Sequence, residues 1–117
     1  MLKLARVVLN KHKIKWGTNS EHVIADVCIT PIGVGASVSK EISEVAKVLQ
    51  SFPIKCQLHA YGTNLEGDWE DVMAAVKDAH KRLHEMGITR VSSNMRFGTR
   101  IDKHQSLEDK IRAVRSD

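Results

Sequence analysis

No stretch of this chain reaches the ~18 consecutive apolar residues that mark a membrane-spanning helix. No membrane-spanning helix is therefore expected. Cysteine is nearly absent: there are two, Cys28 and Cys56, each inside an apolar, strand-like run. That setting predicts free buried thiols rather than a disulfide framework or a metal pair. Acidic residues are missing from residues 1–20, which carry Lys3, Arg6, Lys11, Lys13 and Lys15. From Glu21 onward there are 13 basic and 14 acidic residues, so the net charge of +4 belongs to the leader. The rest lacks the basic footprint of a nucleic-acid-binding fold. Also missing are a Walker lysine-serine pair, dinucleotide glycine spacing and a nucleophile-base-orienter set. No catalytic residue is assigned.

What is present fits one domain of 117 residues with a 42% apolar content, enough for a core without staples. In the leader, Leu2, Leu4, Ala5, Val7, Val8 and Leu9 alternate with bases. It resembles an organellar presequence but is poor in Ser and Arg, and it is too charged for a secretory signal. Residues 1–21 read as a basic N-terminal extension and 22–117 as the domain. A cytoplasmic protein is expected, with a mitochondrial location the alternative if residues 1–20 act as a presequence.

Alternation of apolar residues predicts a strand at 23–30, ended by Pro31. A helix follows from about Val38 or Ser39 to Ser51, capped by Ser37 or Ser39 and striped by Ile42, Val45, Ala46 and Leu49. A second strand is expected at 54–61. Gly62–Gly67 then reads as a hairpin with a short third strand. Asp68 is placed to cap a helix at 69–86, stopped by Gly87. A fourth strand covers 90–97, and Ser106 opens a last helix with the stripe Leu107, Ile111 and Val114. The order β-α-β-β-α-β plus a C-terminal helix is an α+β, ferredoxin-like sandwich.

Helices of such a fold cover one sheet face. The other would carry Ile24, Asp26, Cys28, Thr30, Lys55, Gln57, His59, Tyr61, Ser92, Asn94 and Arg96. That mixture suits burial against a second copy of the chain. Asp26, His59, Tyr61 and Arg96 are the candidate interface residues, with an Asp26–Arg96 ion pair as one arrangement.

Three segments offer binding chemistry. Thr30-Pro31-Ile32-Gly33, with Ser37 and Ser39, joins a strand end to a helix start, where amides can hold a polar group. The plainer reading is a turn and a cap. In Gly62–Trp69, Glu66 can accept from an amino group or balance a cation, and Trp69 can stack on a ring. Alternatively Glu66 is solvated and Trp69 is core. The run 96–104 can bind a phosphate or a carboxylate, or be solvated turn charge. His80 and His84 are four apart on one helix, but no Glu lies between them in a zinc-hydrolase pattern. They read as surface histidines, and no metal site is expected.

Together, Thr-Pro-Ile-Gly at 30–33 with Ser37 and Ser39, Gly-Thr-Asn-Leu-Glu-Gly at 62–67, and Arg-Phe-Gly-Thr-Arg-Ile-Asp-Lys-His-Gln at 96–105 with Leu-Glu-Asp-Lys at 107–110 resemble the small thiamine-binding protein family. The similarity spans residues 22–115 and looks closest to the eukaryotic, fungal-type members. The resemblance implies a ferredoxin-like fold and a homo-oligomer, a dimer or a tetramer built through the sheets. It also implies binding of thiamine or a related pyrimidine or thiazole compound, with no further cofactor. Carried over by position, Thr30, Gly33, Ser37, Thr63, Glu66 and Asn94 are the pocket residues it suggests. Neither a nucleic-acid nor a membrane partner is expected. The alternative is an oligomeric structural or regulatory module without a dedicated small ligand.

Overall fold

The computed structural model describes residues 21–115, so the leader reading lies outside the described residues. Strand β1 (His22–Ile32) is followed by helix α1 (Ser39–Gln50). The hairpin strands β2 (Lys55–His59) and β3 (Gly62–Asp68) come next, then helix α2 (Trp69–Glu85), β4 (Arg90–Gly98) and α3 (Leu107–Val114). The sheet order is β2-β3-β1-β4, with every neighbouring pair antiparallel. This is the ferredoxin-like arrangement expected from the element order.

Period-two alternation sorts the central strands. Val23, Ala25, Val27 and Ile29 of β1 and Leu65 of β3 point to the covered face. There they meet Val45 and Leu49 of α1 and Val72, Ala75, Ala79 and Leu83 of α2, all buried. Leu49, Leu65, Leu83, Val23 and Val72 are the largest side chains fully removed from water. Burying a side chain of this size is worth roughly 1.5–3 kcal/mol, so this layer holds the sandwich closed. Gly87, at φ 91°, ends α2 as expected.

Several local expectations are corrected. Pro31 does not end β1: the strand runs on to Ile32, and Pro31 pairs with Val91. Proline is tolerated there because pairing with β3 stops at Val27, which leaves Pro31 on an open edge that needs no N–H. Neither Ser37 nor Ser39 caps α1; Val38 holds the cap position, without a side-chain hydrogen bond. Asp68 occupies the cap position of α2 but its side chain makes no cap bond. Ser106 does cap α3: its hydroxyl accepts from the Asp109 N–H, and the Asp109 carboxylate accepts from the Ser106 N–H.

β2 is shorter than expected, and Leu58 is 66% exposed. The short third strand is a seven-residue central strand. Cys28 and Cys56 are free but only half-buried, and burial pushes the Cys56 thiol up. His80 is not a plain surface histidine. Partly buried against β4, it hydrogen-bonds the Ser93 hydroxyl, and desolvation lowers its pKa.

Candidate functional site

The uncovered sheet face is a continuous polar layer. Arg96 donates through Nε and Nη2 to both carboxylate oxygens of Asp26, at 3.2 and 2.9 Å. This hydrogen-bonded pair holds the Asp26 carboxyl below its ordinary range. His59 Nε2 lies 3.6 Å from the same carboxylate. Beside it, Asn64 donates to Gln57 across the β2–β3 ladder at 2.9 Å.

Toward one end of this face, Glu66 is buried. Its Oε1 accepts from the Leu107 N–H at 2.8 Å, and Oε2 lies 3.1 Å from His22 Nε2. Lys55 bridges Glu66 and Glu108, bonding Glu108 at 2.6 Å. The Glu108 carboxylate raises the Lys55 pKa, and the lysine lowers that of Glu108. Glu66 is thus the anchor on which α3 is seated, a third role beside ligand contact and solvated charge. Leu107 is buried at this seat, whereas Ile111 and Val114 stay exposed.

A cavity of about 280 Å³ opens on the other side of the sheet, where β3 stops and β1 continues. It lies between the β1 edge, the β2–β3 hairpin and α1, and its walls include Ile29, Val38, Ile42, Leu58, Tyr61 and Thr63. Backbone direction can be read at its margin. A Cβ placed on Gly62 would sit 2.5 Å from the Val27 carbonyl oxygen, so Val27 directs its backbone groups toward β3. Alternate residues of a strand address the same edge, so Ile29 and Pro31 do likewise. No β3 residue lies opposite them, and neither has another backbone partner among the described residues. Ile29 therefore presents an unpaired N–H and C=O at an apolar cavity, and Pro31 leaves its carbonyl unpaired further along the same edge.

A second cleft, of about 390 Å³, lies beside α3 between His22, Ile24, the 98–105 loop and Lys110. A shallower hollow joins Gly33 and Val34 to Lys40 and the α2–β4 connection.

The six pocket residues suggested by sequence are not brought together. Thr63 is buried and lines the edge cavity. Thr30 and Asn94 are exposed on the uncovered face. Glu66 shares that face but sits opposite Ile24, six residues of strand from Thr30, roughly 20 Å at strand rise. Gly33 borders the shallow hollow, and Ser37 is exposed in the loop before α1. Of the four interface candidates, Asp26, His59 and Arg96 form one cluster. Tyr61 projects from the hairpin turn, 86% exposed.

Residues 25–115 match the family model described as thiamine-binding protein. The chain belongs to the thiamine-binding protein family. It is 47% identical over 93 residues to the UPF0045 protein sll0230 of Synechocystis, covering 80% of this chain and 77% of that one. It is 36% identical over 94 residues to the UPF0045 protein ECM15 of Eremothecium gossypii, covering 80% and 90%. The fungal relative is thus the less similar of these two. Among solved structures, protein MJ1052 of Methanocaldococcus jannaschii superposes with a TM-score of 0.76 at 36% identity, covering 80% of this chain and 96% of that one. The Thermotoga maritima protein TM0486, at 19% identity and a TM-score of 0.67 over 80% and 99% of the two chains, shares the fold. No catalytic role is indicated by the names of the family or of these relatives.

Sequence reasoning missed the seat of α3, made by His22, Lys55, Glu66 and Glu108. The pairing of Lys55 with Glu66 follows from strand register, and register is not visible in a hairpin whose turn is uncertain. It also missed the unpaired backbone of Ile29 at the β1 edge. The signal available was Pro31, which marks the edge where pairing is dispensable.

Proposed function

We propose that this protein binds thiamine, or a related aminopyrimidine or thiazole compound, without transforming it, in the cavity at the β1 edge. The observation that carries this reading is the unpaired N–H and C=O of Ile29 at the wall of that cavity. An aminopyrimidine edge carries an amino donor beside a ring-nitrogen acceptor, which matches one acceptor and one donor on a strand. Val38, Ile42 and Leu58 supply apolar walls for a flat ring. Tyr61 supplies an aromatic face for the cationic thiazolium, and the Thr63 hydroxyl adds one polar contact. Family membership points to the same ligand class.

Calorimetric titration with thiamine, its phosphates and its hydroxymethyl-aminopyrimidine precursor tests the proposal. Saturable binding is expected, weakened at least about tenfold by Leu58→Glu with Tyr61→Ala, which removes apolar and aromatic contact. Absence of heat with every compound at millimolar concentration ends the reading.

A second reading, self-association, is favoured by the half-covered sheet face. Ile24 and the exposed Ile111 border Arg96 and Asp26, and apolar side chains beside a paired polar centre suit a second copy. Sedimentation equilibrium decides it: a monomer at high micromolar concentration rejects it.

A further inference from the structure

The 98–105 loop holds a motif that thiamine binding at the β1 edge does not use. Its cleft gathers Arg100, Lys103, Lys110, His22 and His104 around about 390 Å³. The region from Glu21 onward has one more acid than base, so a concentration of bases here is not a reflection of overall charge. Among the described residues the one acid in the cleft lining is Asp102, and it already has a partner. Arg100 donates to Asp102 through Nε and Nη2 and to Gln105 Oε1 through Nη1 at 2.9 Å. This grip holds the Asp102 carboxyl down at about 2, so it stays charged and fixes the guanidinium.

Arg100 has five N–H donors. Three are used on Asp102 and Gln105, which leaves two on an immobilised fork. Lys103 and Lys110 are exposed cleft residues with no ion pair among the described residues. The His104 ring packs on the His22 ring, centroids 5.2 Å apart, which sets one imidazole against the wall. The Thr99 hydroxyl adds a neutral donor. With Asp102 neutralising one base, the cleft is left with two net positive charges from groups that are all donors.

We infer that this cleft is a binding site for a phosphate dianion, free or as a monoester, held by the fixed fork of Arg100 and by Lys103 and Lys110. Planar two-donor recognition by a preset guanidinium, with ammonium groups beside it, is the usual chemistry of such an anion. The walls set by the loop and α3 suit a single head group rather than a track for a polyanion. The site is separate from the β1-edge cavity, and its failure would leave the thiamine proposal untouched.

The test is calorimetric titration of the full chain with inorganic phosphate and with phenyl phosphate, using sodium chloride at matched ionic strength as blank. The comparison variant is Lys103→Gln with Lys110→Gln, whose fold is checked by its thermal melt. Saturable binding to the wild type is expected, weaker by at least about tenfold in the variant because two charge-assisted contacts are lost. The His104 ring resonances should shift on saturation. Tighter binding of phenyl phosphate assigns an organic ester as the source, and equal or weaker binding assigns the free ion. Heat no greater than the chloride blank, or binding that survives the double substitution, overturns the inference.

Discussion

The two faces of this sheet come from alternate residues of the same strands, yet they solve different problems. On the covered face, Val23, Val27 and Leu65 meet two helices, and their own side chains carry no polar group to satisfy. On the other, Asp26, Asn64, Glu66 and Arg96 are held by one another and by neighbours. Among the described residues only α3 lies over that face, and a buried carboxylate rather than an apolar stripe fixes its start. The first face closes the fold. The second keeps charged groups oriented, with Arg96 open to water and Glu66 buried under α3.

The strongest way to break the comparison is to damage the covered face. Leu65→Ala removes a side chain with no exposure from a central strand packed under both helices. A loss of about 2–5 kcal/mol is expected, the range for buried Leu-to-Ala changes with incomplete collapse. Urea unfolding followed by circular dichroism measures it. A loss well under 1 kcal/mol would mean that the face is not close-packed.

On the other face, Glu66→Ala should cost less, about 1–3 kcal/mol, because it orphans the Leu107 N–H and removes the partner of His22 and Lys55. The effect should also be local. Amide exchange in Leu107–Val114 should accelerate while Val72–Leu83 of α2 stays protected. Equal acceleration in both helices would mean that the two faces unfold as one.

This asymmetry explains how much was legible in sequence. The covered face follows from periodicity: alternation in β1 and the stripe of α1 name residues such as Val23, Val27, Val45 and Leu49 because burial is the same demand at every position. The Ser106–Asp109 cap is equally local, closed within four residues. The α3 seat was illegible because Lys55 and Glu66 meet only through the β2–β3 register, and Leu107 reaches Glu66 from 41 residues further along the chain. The open β1 edge was hidden for a related reason. Pro31 reads as a strand breaker on its own, and only the early end of the β3 pairing makes it an edge residue. Ser37 and Ser39 have capping chemistry, but the chain enters α1 at Val38 in a geometry that leaves both exposed.

A smaller effect is expected from pH at the margin of the covered face. Burial lowers the His80 pKa from the usual 6.5 while its ring bonds Ser93. The folded state therefore resists protonation more than the unfolded state does. Stability from this group is present above pH 6.5 and is lost as pH falls through the lower folded value. Melting temperature should decline from pH 7.5 toward 5, before most carboxylates titrate, and His80→Gln should flatten part of that slope. An unchanged slope in the variant assigns the dependence to other histidines.

The smallest effect should come from the Asp26–Arg96 pair, and its size reports on the open face. Within one chain Arg96 is 87% exposed at its side chain, and ion pairs in that setting contribute little because water and salt screen them. A double-mutant cycle over Asp26→Ala and Arg96→Ala in unfolding should give a coupling near the limit of measurement, weaker still in added salt. Covering by a second copy would desolvate the same pair and make the coupling large, resistant to salt and dependent on protein concentration. The cycle at two protein concentrations thus separates a face that stays solvated in solution from one that is an interface.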